Sequence, residues 1–159
     1  MIAAQVGTMR RVSSKQKGKG VNDGYEDDGE RKGWDRDIEG AAAELVVADY
    51  LGVYWPASVN ADKADPDVGD RIQVRSSHRP DAQLIVRPGD RLDHIYVLVT
   101  GRIPDLRLIG WVQGEKCKQD SAWFTNNGRE DLPKAWFVPR TALIDMAYLN
   151  LELCAAPPK

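Results

Sequence analysis

The segment Pro66-Asp67-Val68-Gly69-Asp70-Arg71-Ile72-Gln73-Val74-Arg75 gathers the side chains of this 159-residue chain best suited to chemistry on a charged substrate. Asp67 follows a proline and precedes a Gly-Asp turn, and residues 71 to 76 then alternate as a strand does. On such a strand Ile72 and Val74 share one face, and Gln73 and Arg75 share the other. With Glu44 from an upstream helix, the set holds two carboxylates, a carboxamide oxygen and a fixed cation. Mg²⁺ takes oxygen ligands and needs only one or two carboxylates. A divalent cation so held lowers the pKa of a bound water and clamps phosphate oxygens, which is what phosphodiester cleavage requires. Arg75 stays charged and cannot act as a base, but it can grip a phosphate through two parallel hydrogen bonds. Asp65 and Asp70 flank Asp67 with the same ligand chemistry, and Lys63 is close in sequence. The plainer use of the same residues is a hairpin turn followed by the solvated face of an edge strand.

The elements that must position these side chains follow from periodicity. A helix is expected from about Asp37 to Leu51, capped by Asp35 or Asp37, with Ile38, Ala41, Ala42, Leu45 and Ala48 as its apolar stripe. Glu44 borders that stripe, and Gly52 is a natural stop. A short extended piece from Val53 to Val59 and a polar loop lead to the strand at 71 to 76. Further strands are expected at Gln83–Arg87, Ile95–Thr100 and Leu106–Gln113; the near-continuous apolar run from Ile95 suits a central strand covered on both sides. A short helix at Glu115–Asp120, a small strand at Trp136–Val138 and a final helix from Pro139 to Leu149 complete the order. This is an α/β or α+β layered domain with one central mixed sheet flanked by helices.

The order Glu44…Pro66-Asp67…Gln73-x-Arg75, spread over a helix and strands from about residue 37 to 115, resembles the PD-(D/E)XK nuclease superfamily. Gly110-Trp111 and Trp136-Phe137-Val138-Pro139 resemble the small nuclease-like proteins of phages and mobile elements. The resemblance implies an α/β, restriction-endonuclease-like fold with a central mixed sheet. It casts Asp67 as the first motif acid, Gln73 as the second, Arg75 in the lysine position and Glu44 as the helix acid. It implies Mg²⁺ or Mn²⁺ held by Asp67, Gln73 and Glu44, and DNA as partner, with RNA or branched DNA as further substrates. It also implies endonuclease or exonuclease activity, and homodimers, since many nucleases of this fold act as dimers. The alternative is a catalytically silent module of the same fold that binds nucleic acid or a protein, because Gln73 brings no charge and Arg75 no base.

Composition narrows the rest. The formal net charge is −2, so a nucleic-acid surface must be a local patch; Arg71, Arg79 and Arg87, joined by Arg91, Arg102 and Arg107, are the candidates. Trp55, Trp111, Trp123 and Trp136 can stack on bases or anchor the core. His78 and His94 lack partners at metal-ligand spacing, and neither a Ser/His/Asp pattern nor a P-loop is present. Cys117 and Cys154 form no CxxC pair, which suits reduced thiols in the cytoplasm. No apolar run approaches the about 20 residues that span a bilayer, so no membrane role is expected. Residues 1–33 are basic, then acidic, with sparse apolar residues; they are expected to be a disordered tail ahead of a single domain over 34–159.

Overall fold

Small side chains on one long helix set the frame. The computed structural model describes residues 1–16, 29–59 and 65–155. Helix α2 (Gly29–Leu51) buries Ala41, Ala42, Ala43, Val47 and Ala48, whose small volumes let the helix lie close to a sheet. It ends as Gly52 foretells: Gly52 is at φ +66°, its N–H donates to Asp49 O, and Val53 N–H donates to Ala48 O. Those two bonds make a Schellman stop, which favours glycine at the left-handed position.

The sheet beside α2 has the order β1-β3-β4, from β1 (Ile72–Ser77), β3 (Ile95–Arg102) and β4 (Asp105–Gln113). β1 runs parallel to β3 and β4 antiparallel to it, so the sheet is mixed. β3 is central, and Ile95 through Thr100 are all buried, as their apolar run requires. Register aligns Ile72 and Val74 with Ile95 and Val97, and this face meets α2 in a core that includes Trp55, Val99 and Trp111. Gln73 and Arg75 align with Tyr96 and Leu98 on the opposite face.

That opposite face is covered by a second sheet. β2 (Leu84–Val86) and β5 (Phe124–Thr125) flank β6 (Ala135–Val138), all antiparallel. Leu84, Val86, Tyr96, Leu98, Val112, Cys117 and Val138 form its core, with Cys117 supplied by α3 (Gly114–Gln119). The protein is therefore mixed α/β, but with two three-stranded sheets in place of the single central sheet expected. Both edges of β3 are occupied by β1 and β4, so β2 pairs with the late strand β6 instead. Alternation in the sequence gives a strand its faces and not its partner.

Two further expectations are corrected. Residues 2–16 are not a disordered tail: Ile2–Gln16 form helix α1, which packs on α2. Val6 is buried there, and Gly7 lies so close that a Cβ would come within 2.5 Å of Ile38 Cα. Burial against α2 stabilises a segment whose own composition could not; a fully buried valine contributes about 1.5–3 kcal/mol. The expected basic and acidic stretches across 17–28 lie outside the described residues. The expected helix over 139–149 is two short 3₁₀ turns, Arg140–Ala142 and Met146–Tyr148, followed by α4 (Leu149–Ala155). Ile144 between the turns bridges to Trp111 through two backbone hydrogen bonds, which requires extended backbone there. Residues 53–59 pair with no strand. Among the described residues no helix is long and apolar enough to cross a membrane.

Candidate functional site

β1 is an edge strand, and its open edge gathers the predicted residues. Asp67 runs back along that edge. Its N–H donates to Ile72 O at 2.8 Å, and Gly69, at φ +56°, closes the tight turn between Val68 and Ile72. The Asp67 carboxylate then accepts the Val74 N–H at 2.8 Å, taking a ladder hydrogen bond that a neighbouring strand would otherwise make. Asp-Val-Gly-Asp is thus a turn, and the turn is what aims the Asp67 carboxylate at the edge of β1.

Gln73 is 4% exposed and fully engaged. Its amide nitrogen donates to Asp65 O at 2.5 Å, and its oxygen accepts from Arg75 Nη1 at 3.2 Å. Arg75 reaches further to Asp90, with Nη2 to Oδ2 at 2.8 Å, and stacks over the Tyr96 ring at 5.3 Å. Asp90 is itself fixed by the Arg87 N–H, and its backbone oxygen accepts from Lys118 Nζ at 2.6 Å. Gln73 and Arg75 are therefore not a loose solvated face. Sequence reasoning missed Asp90; the Pro88-Gly89-Asp90 turn located the loop but gave no sign of where its carboxylate points.

Glu44 is 6% exposed, near the sheet edge. Its carboxylate is gripped at both oxygens by Arg10 of α1, Nη1 to Oε1 at 2.6 Å and Nη2 to Oε2 at 2.8 Å. Trp55 Nε1 adds a bond to Oε2 at 3.1 Å, and Arg10 Nε is tied to Ser58 O at 2.8 Å. Arg10 belongs to the segment read as a tail, so no local signal in the sequence marked it. Burial works against its charge, but the hydrogen bonds and charge of Glu44, with Asp67 and Asp37 behind, raise its pKa above the ordinary value.

Asp67 completes the electrostatic picture. Burial first, and then the charge of Glu44, push its carboxyl up to about 6, against the pull of the Val74 N–H, Arg75 and Arg10. Glu44 and Asp67 are therefore close enough to repel, and Arg10 and Arg75 bracket them. The arrangement is an acid pair beside two guanidinium groups, of which Arg10 pairs with Glu44 and Arg75 with Asp90.

A divalent metal does not fit this arrangement. Both Glu44 oxygens are occupied by strong donors, the Gln73 oxygen faces a cation, and one Asp67 oxygen is held by a backbone N–H. Arg10 already supplies positive charge beside Glu44. Among the described residues no group of three or more His, Cys, Asp or Glu side chains is placed to hold a metal ion. Lys63 lies outside the described residues.

Two of the predicted nucleic-acid arginines are engaged within the protein. Arg71 donates to Glu152 O at 3.3 Å, and Arg79 pairs with Asp81 at 2.8 Å. Arg87 is exposed at the end of β2. The tryptophans serve as anchors: Trp55 on Glu44, Trp111 on Asp145 O, Trp136 against Phe124, and Trp123 at the second core. Burial pushes the Cys117 thiol up to about 12, which leaves it unreactive. No protein-family model, curated protein or solved structure matches the chain.

Proposed function

We propose that this chain is a nuclease-like module that binds DNA through phosphate-directed arginines and leaves the strand uncut while α1 is docked. The observation that supports it is the two-pronged Arg10–Glu44 pair, which supplies by side chain the positive charge that a cleaving site would take from Mg²⁺ or Mn²⁺. The element order and the Asp67, Gln73, Arg75 edge support the nuclease-like part of the reading. The test is binding of single-stranded, duplex and branched DNA, with RNA alongside, in the presence of a chelator, followed by plasmid incubation with Mn²⁺. Binding without metal and no nicking are expected. Mn²⁺-dependent nicking by the unaltered protein, lost in Asp67→Ala, would overturn the proposal.

A second reading, metal-dependent cleavage by the same residues, draws support from the closeness of the two acids. Glu44 helps raise the Asp67 pKa, as paired carboxylates do at sites built to share a positive charge. On that reading Arg10 withdraws with α1, and Glu44, Asp67 and Gln73 are left to hold Mg²⁺ or Mn²⁺. Gly7→Val separates the readings, because the added side chain cannot fit against Ile38 and forces α1 away. Nicking that appears only in that variant would favour the second reading.

A further inference from the structure

We propose that the cleft beside the tip of the β3–β4 hairpin binds the phosphodiester backbone of a nucleic-acid strand, an inference that rests on the DNA-binding reading above. The cleft encloses about 410 Å³ and is lined by His78, Thr100, Arg102, Asp105, Arg107 and Arg140, with Ile103 at its lip. Three guanidinium groups and an imidazole face one carboxylate. The chain as a whole is slightly acidic, so this local excess of positive charge stands out against the composition.

How the arginines are used elsewhere sharpens the point. Arg79, Arg91 and Arg129 each pair with an aspartate two residues on, Asp81, Asp93 and Asp131. Arg102 and Arg107 are exposed and pair with no carboxylate among the described residues, although Asp105 lies opposite Arg102 in the hairpin register. Arg140 is steadied by donating to the backbone oxygen of Pro80, which also lines the cleft. Among the described residues Arg102 and Arg107 therefore offer guanidinium forks without a carboxylate partner on the hairpin, a geometry that matches phosphate oxygens in pairs.

Position favours a linear polyanion over a single small anion. Thr100, on the floor, follows Leu98 by two residues, and Leu98 is the register partner of Arg75. Thr100 and its partner Arg107 thus share the Arg75 face of the sheet, about 7 Å further along the strands. Arg75 itself is engaged by Asp90, but Arg102 and Arg107 place two exposed guanidinium groups on adjacent strands at the hairpin tip, which successive phosphates of one strand can occupy.

The test is fluorescence anisotropy of labelled single-stranded and duplex DNA across a range of salt concentrations. Each phosphate contact contributes about 0.9 to the log–log salt slope on duplex and about 0.7 on single strands. Arg102→Gln with Arg107→Gln removes two, so the duplex slope should fall by about 1.8 and affinity at about 0.1 M salt by about 60-fold. On single strands the corresponding figures are about 1.4 and about 25-fold, which tells which form occupies the cleft. Arg91→Gln, outside the cleft and already paired with Asp93, should change neither. Arg107→Lys should keep the slope, and unchanged thermal unfolding of each variant shows that the fold is intact. Unaltered affinity in the double variant overturns the cleft and leaves the DNA-binding reading standing. Failure of the unaltered protein to bind any DNA overturns both. Competition by polyglutamate equal to that by DNA of the same charge overturns the nucleic-acid assignment.

Discussion

Asp67→Asn should stabilise the protein above about pH 6 and leave it nearly unchanged near pH 4. Burial and the charge of Glu44 hold the folded carboxyl at about 6, against an ordinary value of 3.8. The folded state therefore binds this proton more tightly than the unfolded chain does. The stability it contributes is fully present below about pH 4 and is lost as pH rises through about 6. The gap between the two values corresponds to up to about 3 kcal/mol, and solvent reaching the half-buried carboxyl trims this to about 2 kcal/mol. Asparagine keeps an oxygen for the Val74 N–H, so the substitution removes the charge and spares the hydrogen bond. Urea unfolding of both proteins at several pH values reads the difference directly, and comparing the two cancels the acid response of the other carboxylates. A variant less stable than the parent above pH 6 would refute the reasoning, because the attraction of Asp67 to Arg10 and Arg75 would then outweigh its burial and its repulsion by Glu44.

Other consequences follow from the same contacts. Arg10→Ala leaves Glu44 buried without its partner; breaking a buried pair costs about 3–5 kcal/mol, and the 21% exposure of the arginine side chain brings the expected loss to about 2–3 kcal/mol in equilibrium unfolding. Adding Glu44→Gln to that variant should recover most of the loss. Gly7→Val should raise hydrogen exchange across residues 2–16 while the amides of β3 stay protected. Gln73→Glu trades the donor to Asp65 O for a charge and should cost about 1–2 kcal/mol near neutral pH, softened by Arg75; unchanged stability would show that the Asp65 bond contributes little. Cys117 should resist iodoacetamide in the native protein and react on unfolding, as a buried thiol held up to about 12 must.

Much of the frame was legible in the sequence because it rests on local periodicity. The stripe of α2, its stop at Gly52, the alternation of β1 and the apolar run of β3 each report a face or an end within a few residues. Asp67, Gln73 and Arg75 were legible for the same reason, since one turn and one strand fix all three. What was not legible depends on contacts distant in sequence. β2 joins a second sheet because its partner, β6, lies some fifty residues on. Residues 2–16 have too few apolar side chains to announce a helix, yet Val6 and the bare backbone of Gly7 are enough once α2 supplies the surface. Arg10 went unread with them, and it is the residue that changes the meaning of the site. Without it Glu44 and Asp67 read as ligands awaiting a cation; with it the charge of Glu44 is already answered, and Asp67 stays under-compensated, its carboxyl pushed up to about 6.

Titration of Mn²⁺ by calorimetry into the unaltered protein, Arg10→Gln, and Arg10→Gln with Asp67→Asn tests most directly whether Arg10 supplies that charge. The unaltered protein should show no saturable binding up to millimolar Mn²⁺. Arg10→Gln should gain a single site, and Asp67→Asn should abolish it. Saturable Mn²⁺ binding by the unaltered protein would contradict the account.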